Sequence, residues 1–294
     1  MIPIIDAHHH IWRQADLPWL QGPMVPRIFG PYEPIRRDYP IEEFLADISG
    51  SGIEKSVYVQ CNWAKDKAVE EVAWVQSVAD AHGWPHAIVG YADLLDENAG
   101  ETLKRQSAFP LMRGIRMQLH WHENEMYRFA PIPDLMNDQR FRKNIARLAD
   151  YGWSFDLQVF ASQMGDAAKL AADNPDITFI LQHAGMLEDL TPAGRAAWRD
   201  GMKRLADQQN VVSKLSALGT FIHRNDKAHI AGVVSETIEI FGSDRCLFGS
   251  NYPIEKLWVS YADLAATYRN VMSPFSNETQ QAVFSGNAKR VYRL

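Results

Sequence analysis

Four short stretches of this chain hold residue types that can hold an anion, move a proton or ligate a metal. They are Asp6-Ala7-His8-His9-His10, Gly114-Ile115-Arg116, Gln182-His183-Ala184-Gly185 and Ser250-Asn251-Tyr252-Pro253. On a β-strand, residues two apart face the same side. His8 and His10 are therefore expected to project together from the end of the apolar run Ile2 to Asp6, with His9 facing away. A tag or a solvated surface cluster is the competing reading, and the apolar strand before the histidines argues against it. His183 offers a neutral imidazole suited to proton transfer near neutral pH. Arg116 offers a planar fork matched to a carboxylate or an oxyanion; its competing role is an internal salt bridge.

Short apolar runs alternate with amphipathic stretches along the whole chain. Strands are expected at 2–6, 56–60, 86–91, 114–119, 154–159, 178–182, 211–216 and 245–249. Helices are expected between them at about 40–48, 68–82, 97–107, 138–151, 164–172, 193–208 and 228–241, with closing helices at 258–272 and 277–291. Eight strand-helix units predict an α/β fold, a TIM-type (β/α)8 barrel forming one domain over 1–294. An open doubly wound sheet would carry a glycine-rich fingerprint after its first strand, and none is present. The segment 12–39 has neither period and reads as a long loop after strand 1 that walls a pocket.

In such a barrel the C-terminal ends of the strands share one mouth. That brings His8, His10, Gln60, Arg116, Gln158, His183, Ser216 and Asn251 together. Trp12 and Tyr32, with Arg27, Arg36 and Arg37, are expected to close over an anionic ligand, and His120-Trp121-His122 to form a further wall. Cys61 has no readable partner base, so a buried, inert thiol is expected.

The 294 residues carry a net charge of -6 without charge blocks, which argues against nucleic acid as a partner and suits a small-molecule substrate. No apolar run of membrane length or signal peptide is visible, and the two cysteines form no disulfide framework, so a cytoplasmic protein is expected. A homo-oligomer stays open, because exposed helix faces cannot be read from sequence.

The stretches Asp6-Ala7-His8-His9-His10-Ile11-Trp12, Gly114-Ile115-Arg116, Gln182-His183-Ala184-Gly185 and Phe248-Gly249-Ser250-Asn251-Tyr252-Pro253 together resemble the amidohydrolase superfamily. The branch they most resemble is the amidohydrolase-related group of sugar-lactone and 2-pyrone-4,6-dicarboxylate lactonases. The resemblance implies a hydrolase opening the lactone ring of a small, acidic or sugar-derived substrate. By resemblance His8, His10, Arg116 and His183 match the family's motif positions and, with Asn251, form the expected catalytic set; the strand ends and loops offer Gln60, Gln158, Ser216, Trp12, Tyr32 and His120 as expected substrate contacts.

One position departs from the pattern. The superfamily usually has an Asp at the end of strand 8, and this chain has Asn251, whose amide has no useful basicity. The histidine or lysine common on strand 5 of metal-using members is also missing, with Asp156 and Gln158 there instead. A metal-free site is therefore expected; the alternative is one divalent metal such as zinc held by His8, His10 and His183. The loss of the acid also opens a second reaction, lactone isomerisation by a substrate hydroxyl. A barrel that binds a ligand without turning it over is the non-enzymatic alternative.

Overall fold

A computed structural model describes residues 2–294. Eight parallel strands pair in chain order: β1 (Ile4–His9), β2 (Ile53–Val59), β3 (Ala87–Gly90), β4 (Met112–Ile115), β5 (Ser154–Leu157), β6 (Phe179–Leu181), β7 (Val211–Leu215) and β8 (Cys246–Phe248). The sheet closes just beyond β8. There the Asn251 N–H donates to the His8 carbonyl at 2.7 Å and the His10 N–H to the Tyr252 carbonyl at 2.8 Å. The result is the expected (β/α)8 barrel.

Four of the outer helices begin where a side-chain cap satisfies free N–H groups. Asp138 accepts from Arg140 and Phe141, Thr191 from Gly194, Asp226 from His229 and Ser260 from Asp263. The helices Ala68–His82 and Met164–Ala172 have the bounds that their apolar spacing predicts. Two others differ. The expected helix over 138–151 is α-helical only at Gln139–Ile145 and tightens into 3-10 turns over Ala146–Tyr151. The closing helix carries a π-turn at Ala282–Gly286. Neither change alters the apolar periodicity, so neither leaves a sequence signal. The long loop also holds more structure than its lack of periodicity implies: Pro18–Gln21 is helical, and Trp12 and Tyr39 exchange backbone hydrogen bonds of 2.9 Å across its base.

The barrel interior is filled by Ile5, Ala7, Val57, Val59, Ala87, Val89, Ile180, Val212 and Leu247, packed with Ala288 and Tyr292 of the last helix. Strand β1 breaks its own alternation above this layer. Ala7 belongs to the inner cluster, yet His8 also reaches the other barrel histidines, and the register against β2 slips between Asp6 and His9. Such a slip re-aims side chains at a barrel rim.

His9 faces outward as expected and stacks on Phe44 at 3.9 Å, with both ring nitrogens buried and without partners. Burial first, then the neighbouring His10, pushes its pKa well down. The unfolded chain thus binds a proton that the native state refuses, and His9 costs stability as pH falls below its unfolded pKa. The substitution His9→Phe is expected to raise Tm relative to the native protein at pH 5 more than at pH 8. The gap should grow by up to about 1.4 kcal/mol per pH unit in that range; equal gains at both pH values in thermal melts would rule this out.

Candidate active site

The barrel mouth opens into a cavity of about 340 Å³. Its floor is set by β1, β4 and β6. The His8 ring centroid lies 5.0 Å from that of His10 and 4.9 Å from that of His183. His10 Nδ1 lies 2.7 Å from the Val59 carbonyl. A carbonyl only accepts, so Nδ1 carries the proton and Nε2 is left as an acceptor. His183 Nδ1 sits 2.8 Å from Ser216 Oγ. Both ring nitrogens of His8 are buried and unpartnered.

Arg116 is buried at the cavity edge, where one Nη donates to the Gln60 carbonyl while Nε has no partner. Among the described residues, the internal salt bridge that competed for Arg116 is not formed. The carboxylate inside the barrel, Asp156, instead pairs with Lys214 at 2.9 Å, both side chains fully buried.

Burial depresses these histidines, and the two cations add to it. Burial, then Arg116, holds His10 and His120 at about 3, and burial followed by Arg116 and Lys214 holds His183 well below its usual value. His8 is pushed down by burial and then by Lys214. All four are therefore neutral imidazoles near neutral pH.

Local backbone strain accompanies the site. Asn62, His183, Met186, Ala217 and Asn251 all have positive φ and all line the cavity. Each non-glycine residue held there costs on the order of 1–3 kcal/mol, which the surrounding packing must offset.

His10, Trp12, Arg116, His120, Gln158, His183 and Asn251 line the cavity. His8 lies beneath His10 and His183, and Ser216 behind His183. Two other expected contacts are placed elsewhere. Gln60 spends its side chain on the Arg116 carbonyl and the Asn62 N–H, because β2 ends there and its turn needs those partners. Tyr32 is buried behind Trp19 and Phe29, its hydroxyl accepting from the Val25 N–H. Of the loop arginines, Arg27 reaches the cavity, stacked on Trp19 and Tyr32; Arg36 binds loop carbonyls and Arg37 pairs with Glu43. Cys61 is buried, and burial beside Glu71 pushes its thiol well up, which leaves it unreactive.

Sequence reasoning missed Lys214, Gln118, Thr220 and Glu255. Lys214 had a signal, since it falls between Val212 and Ser216 on the inward face of β7. Gln118 continues the inward parity of Arg116 past the end of β4. Thr220 and Glu255 lie in loops, where no periodicity points to them.

As a site for a divalent metal, the donor set is mixed. The unpartnered nitrogens of His8 favour one, but Asn251 replaces the anionic ligand and Arg116 and Lys214 act on the same histidines. Among the described residues, no group of three or more His, Cys, Asp or Glu side chains has metal-holding geometry.

A (β/α)8 barrel gathering histidines of β1 and β6 and an arginine of β4 at one mouth has an amidohydrolase layout, and the chain belongs to the amidohydrolase family, whose profile matches residues 5–294. It is 36% identical to the uncharacterized protein y4mH of Sinorhizobium fredii, over 100% of this chain and 99% of that one. It is 28% identical to an L-fucono-1,5-lactonase of Burkholderia multivorans, over 99% and 96% of the two chains. Among solved structures, an amidohydrolase of Burkholderia multivorans with bound HEPES superposes with a TM-score of 0.84 at 26% identity, covering 99% of each chain. A second structure so described, with bound zinc, gives 0.83.

The buried ion pair supports the floor from below. Lys214→Met strands Asp156 as an uncompensated buried charge and is expected to cost about 3–5 kcal/mol in urea unfolding. The double variant Asp156→Leu/Lys214→Met should recover most of that loss; no recovery would show that the pair is not the source of the cost.

Proposed function

We propose that this chain is a lactonase that opens a small, polyhydroxylated sugar-acid lactone without a metal. The observation that carries this reading is an arginine with spare donors at the cavity edge beside a neutral histidine whose Nε2 is free. Lactone opening needs a proton acceptor for water and a donor for the growing charge on the carbonyl oxygen. His183 takes the water proton at Nε2, a role that requires the tautomer in which Nδ1 carries its own proton toward Ser216 Oγ, 2.8 Å away. Arg116 receives the carbonyl oxygen; when the tetrahedral adduct collapses, the ring C–O bond breaks and the proton held on His183 passes to the departing ring oxygen. As negative charge grows on the carbonyl oxygen, it offsets the cation that depresses His183, so the imidazole becomes more basic as the proton moves. The gain is therefore larger in the transition state than in the ground state.

Gln118 Oε1 and Gln158 Oε1 are buried acceptors without partners on residues that line the cavity. Ring hydroxyls of a sugar lactone supply the donors they lack, whereas a flat pyrone diacid does not. The lactonase relative supports the same substrate class.

His183→Asn is expected to abolish turnover of a sugar-lactone panel with circular dichroism unchanged; near-native activity would remove His183 as the base. Arg116→Met should lower kcat about 100-fold or more with a smaller change in KM, and Arg116→Lys should restore little of it, because the planar fork is lost. An unchanged kcat would return Arg116 to a structural role. Elemental analysis paired with chelation tests the metal-free reading: turnover should survive chelation. Stoichiometric zinc, with activity lost on its removal, would make His8, His10 and His183 its ligands.

A further inference from the structure

Glu71, on the helix Ala68–His82, is a buried carboxyl that the proposed reaction does not use. Its Oε1 accepts hydrogen bonds from the Tyr58 hydroxyl at 2.8 Å and from the Cys61 N–H at 2.9 Å. That N–H belongs to the same peptide group as the Gln60 carbonyl, and the Gln60 carbonyl accepts from Arg116 Nη. One peptide further on, the Cys61 carbonyl accepts from Trp19 Nε1 at 2.9 Å. Arg116 and Trp19 both line the cavity.

We propose that Glu71 is a positioning residue for the Arg116 guanidinium, acting through the Gln60–Cys61 peptide group. The sheet ladder ends here: the Gln60 N–H donates to the Val89 carbonyl at 2.8 Å, and Asn62 already has a left-handed φ of 65°. The Cys61 N–H therefore takes its acceptor from a side chain, Glu71. A peptide group is planar, with its N–H and C=O pointing in opposite directions, so an acceptor fixed on the N–H also fixes where the Gln60 carbonyl points. Hydrogen bonds at the two ends of one such group polarise each other, which strengthens the hold of the carbonyl on the guanidinium.

This route suits the charge that Arg116 must keep. Among the described residues the Gln60 carbonyl is the one acceptor its guanidinium meets, and no carboxylate pairs with it. A carboxylate in direct contact would aim the fork and also neutralise it; a carbonyl aims it and leaves the cation for a substrate oxygen. Oε1 can accept both of its bonds whether Glu71 is ionised or carries a proton on Oε2. The arrangement therefore holds through the titration of this group, which burial pushes up to about 7.

This proposal rests on the lactonase reading, and its test has one arm that does not. With a sugar lactone, Glu71→Asp, which keeps the acid but withdraws it by one methylene, is expected to lower kcat about tenfold or more while KM stays within about twofold. Glu71→Gln keeps an acceptor oxygen at the same reach and should hold kcat within about threefold of native. In an Arg116→Met background, Glu71→Asp should change kcat by less than about twofold, because the group it positions is gone; a general loosening of the fold would lower kcat by the same factor in both backgrounds. A native kcat in Glu71→Asp, a Glu71→Gln variant as slow as Glu71→Asp, or an undiminished loss in the Arg116→Met background overturns the proposal. In the second arm, the Arg116 Nε–H is followed by NMR in 15N-arginine-labelled protein without substrate. Slower hydrogen exchange is expected in the native protein and Glu71→Gln than in Glu71→Asp. Equal exchange in all three overturns the proposal even if no lactone is turned over, whereas absence of turnover by the native protein counts against the lactonase reading alone.

Discussion

The structure depends on one buried carboxylate at the seam of the barrel. Asp6 accepts hydrogen bonds from the His8 N–H at 3.1 Å, the Ser250 N–H at 2.8 Å, Ser250 Oγ at 2.6 Å and Tyr261 Oη at 2.9 Å. Burial pushes its pKa up, and each of these donors opposes that shift. Charge-assisted bonds of this kind are stronger than neutral ones, and here they tie the end of β1 to the turn after β8. That seam puts His8, His10 and Asn251 within one cluster. Gly249 makes the approach feasible, since a side chain there would meet the His8 Cβ at 2.7 Å.

Above the seam the site is organised by positive charge. Lys214 and Arg116 lie near the floor, Asp156 neutralises the first, and the second is left for a ligand. Burial keeps the histidines neutral, and these charges reinforce it. A floor of neutral imidazoles therefore stands beside a guanidinium that pairs with no carboxylate among the described residues.

Much of this was legible from residue order. Strand ends are where a parallel barrel exposes polar groups, so His10, Arg116, Gln158, His183 and Asn251 could be placed at one mouth from their positions alone. Gln60 and Tyr32 could not be placed. Both are polar residues in plausible positions, but a turn after β2 needs the amide of Gln60, and Tyr32 is held behind Trp19 and Phe29. Local backbone demand and burial decided their placement, and neither is encoded in a spacing. Lys214 was legible by strand parity and was passed over; Glu255 was not, because a loop has no parity.

The sequence by itself determined the alternation of strands and helices, and with it the barrel and the set of residues at its mouth. Those follow from periodicities of two and 3.6 and from local caps, which act over a few residues. Only the tertiary structure decided the register slip in β1, the pairing of Lys214 with Asp156, and the contact of His10 Nδ1 with the Val59 carbonyl. Each of these joins groups from separate segments in a space that water has left. There, hydrogen-bond partners and nearby charges set both orientation and protonation, and they are specified only once the barrel has closed.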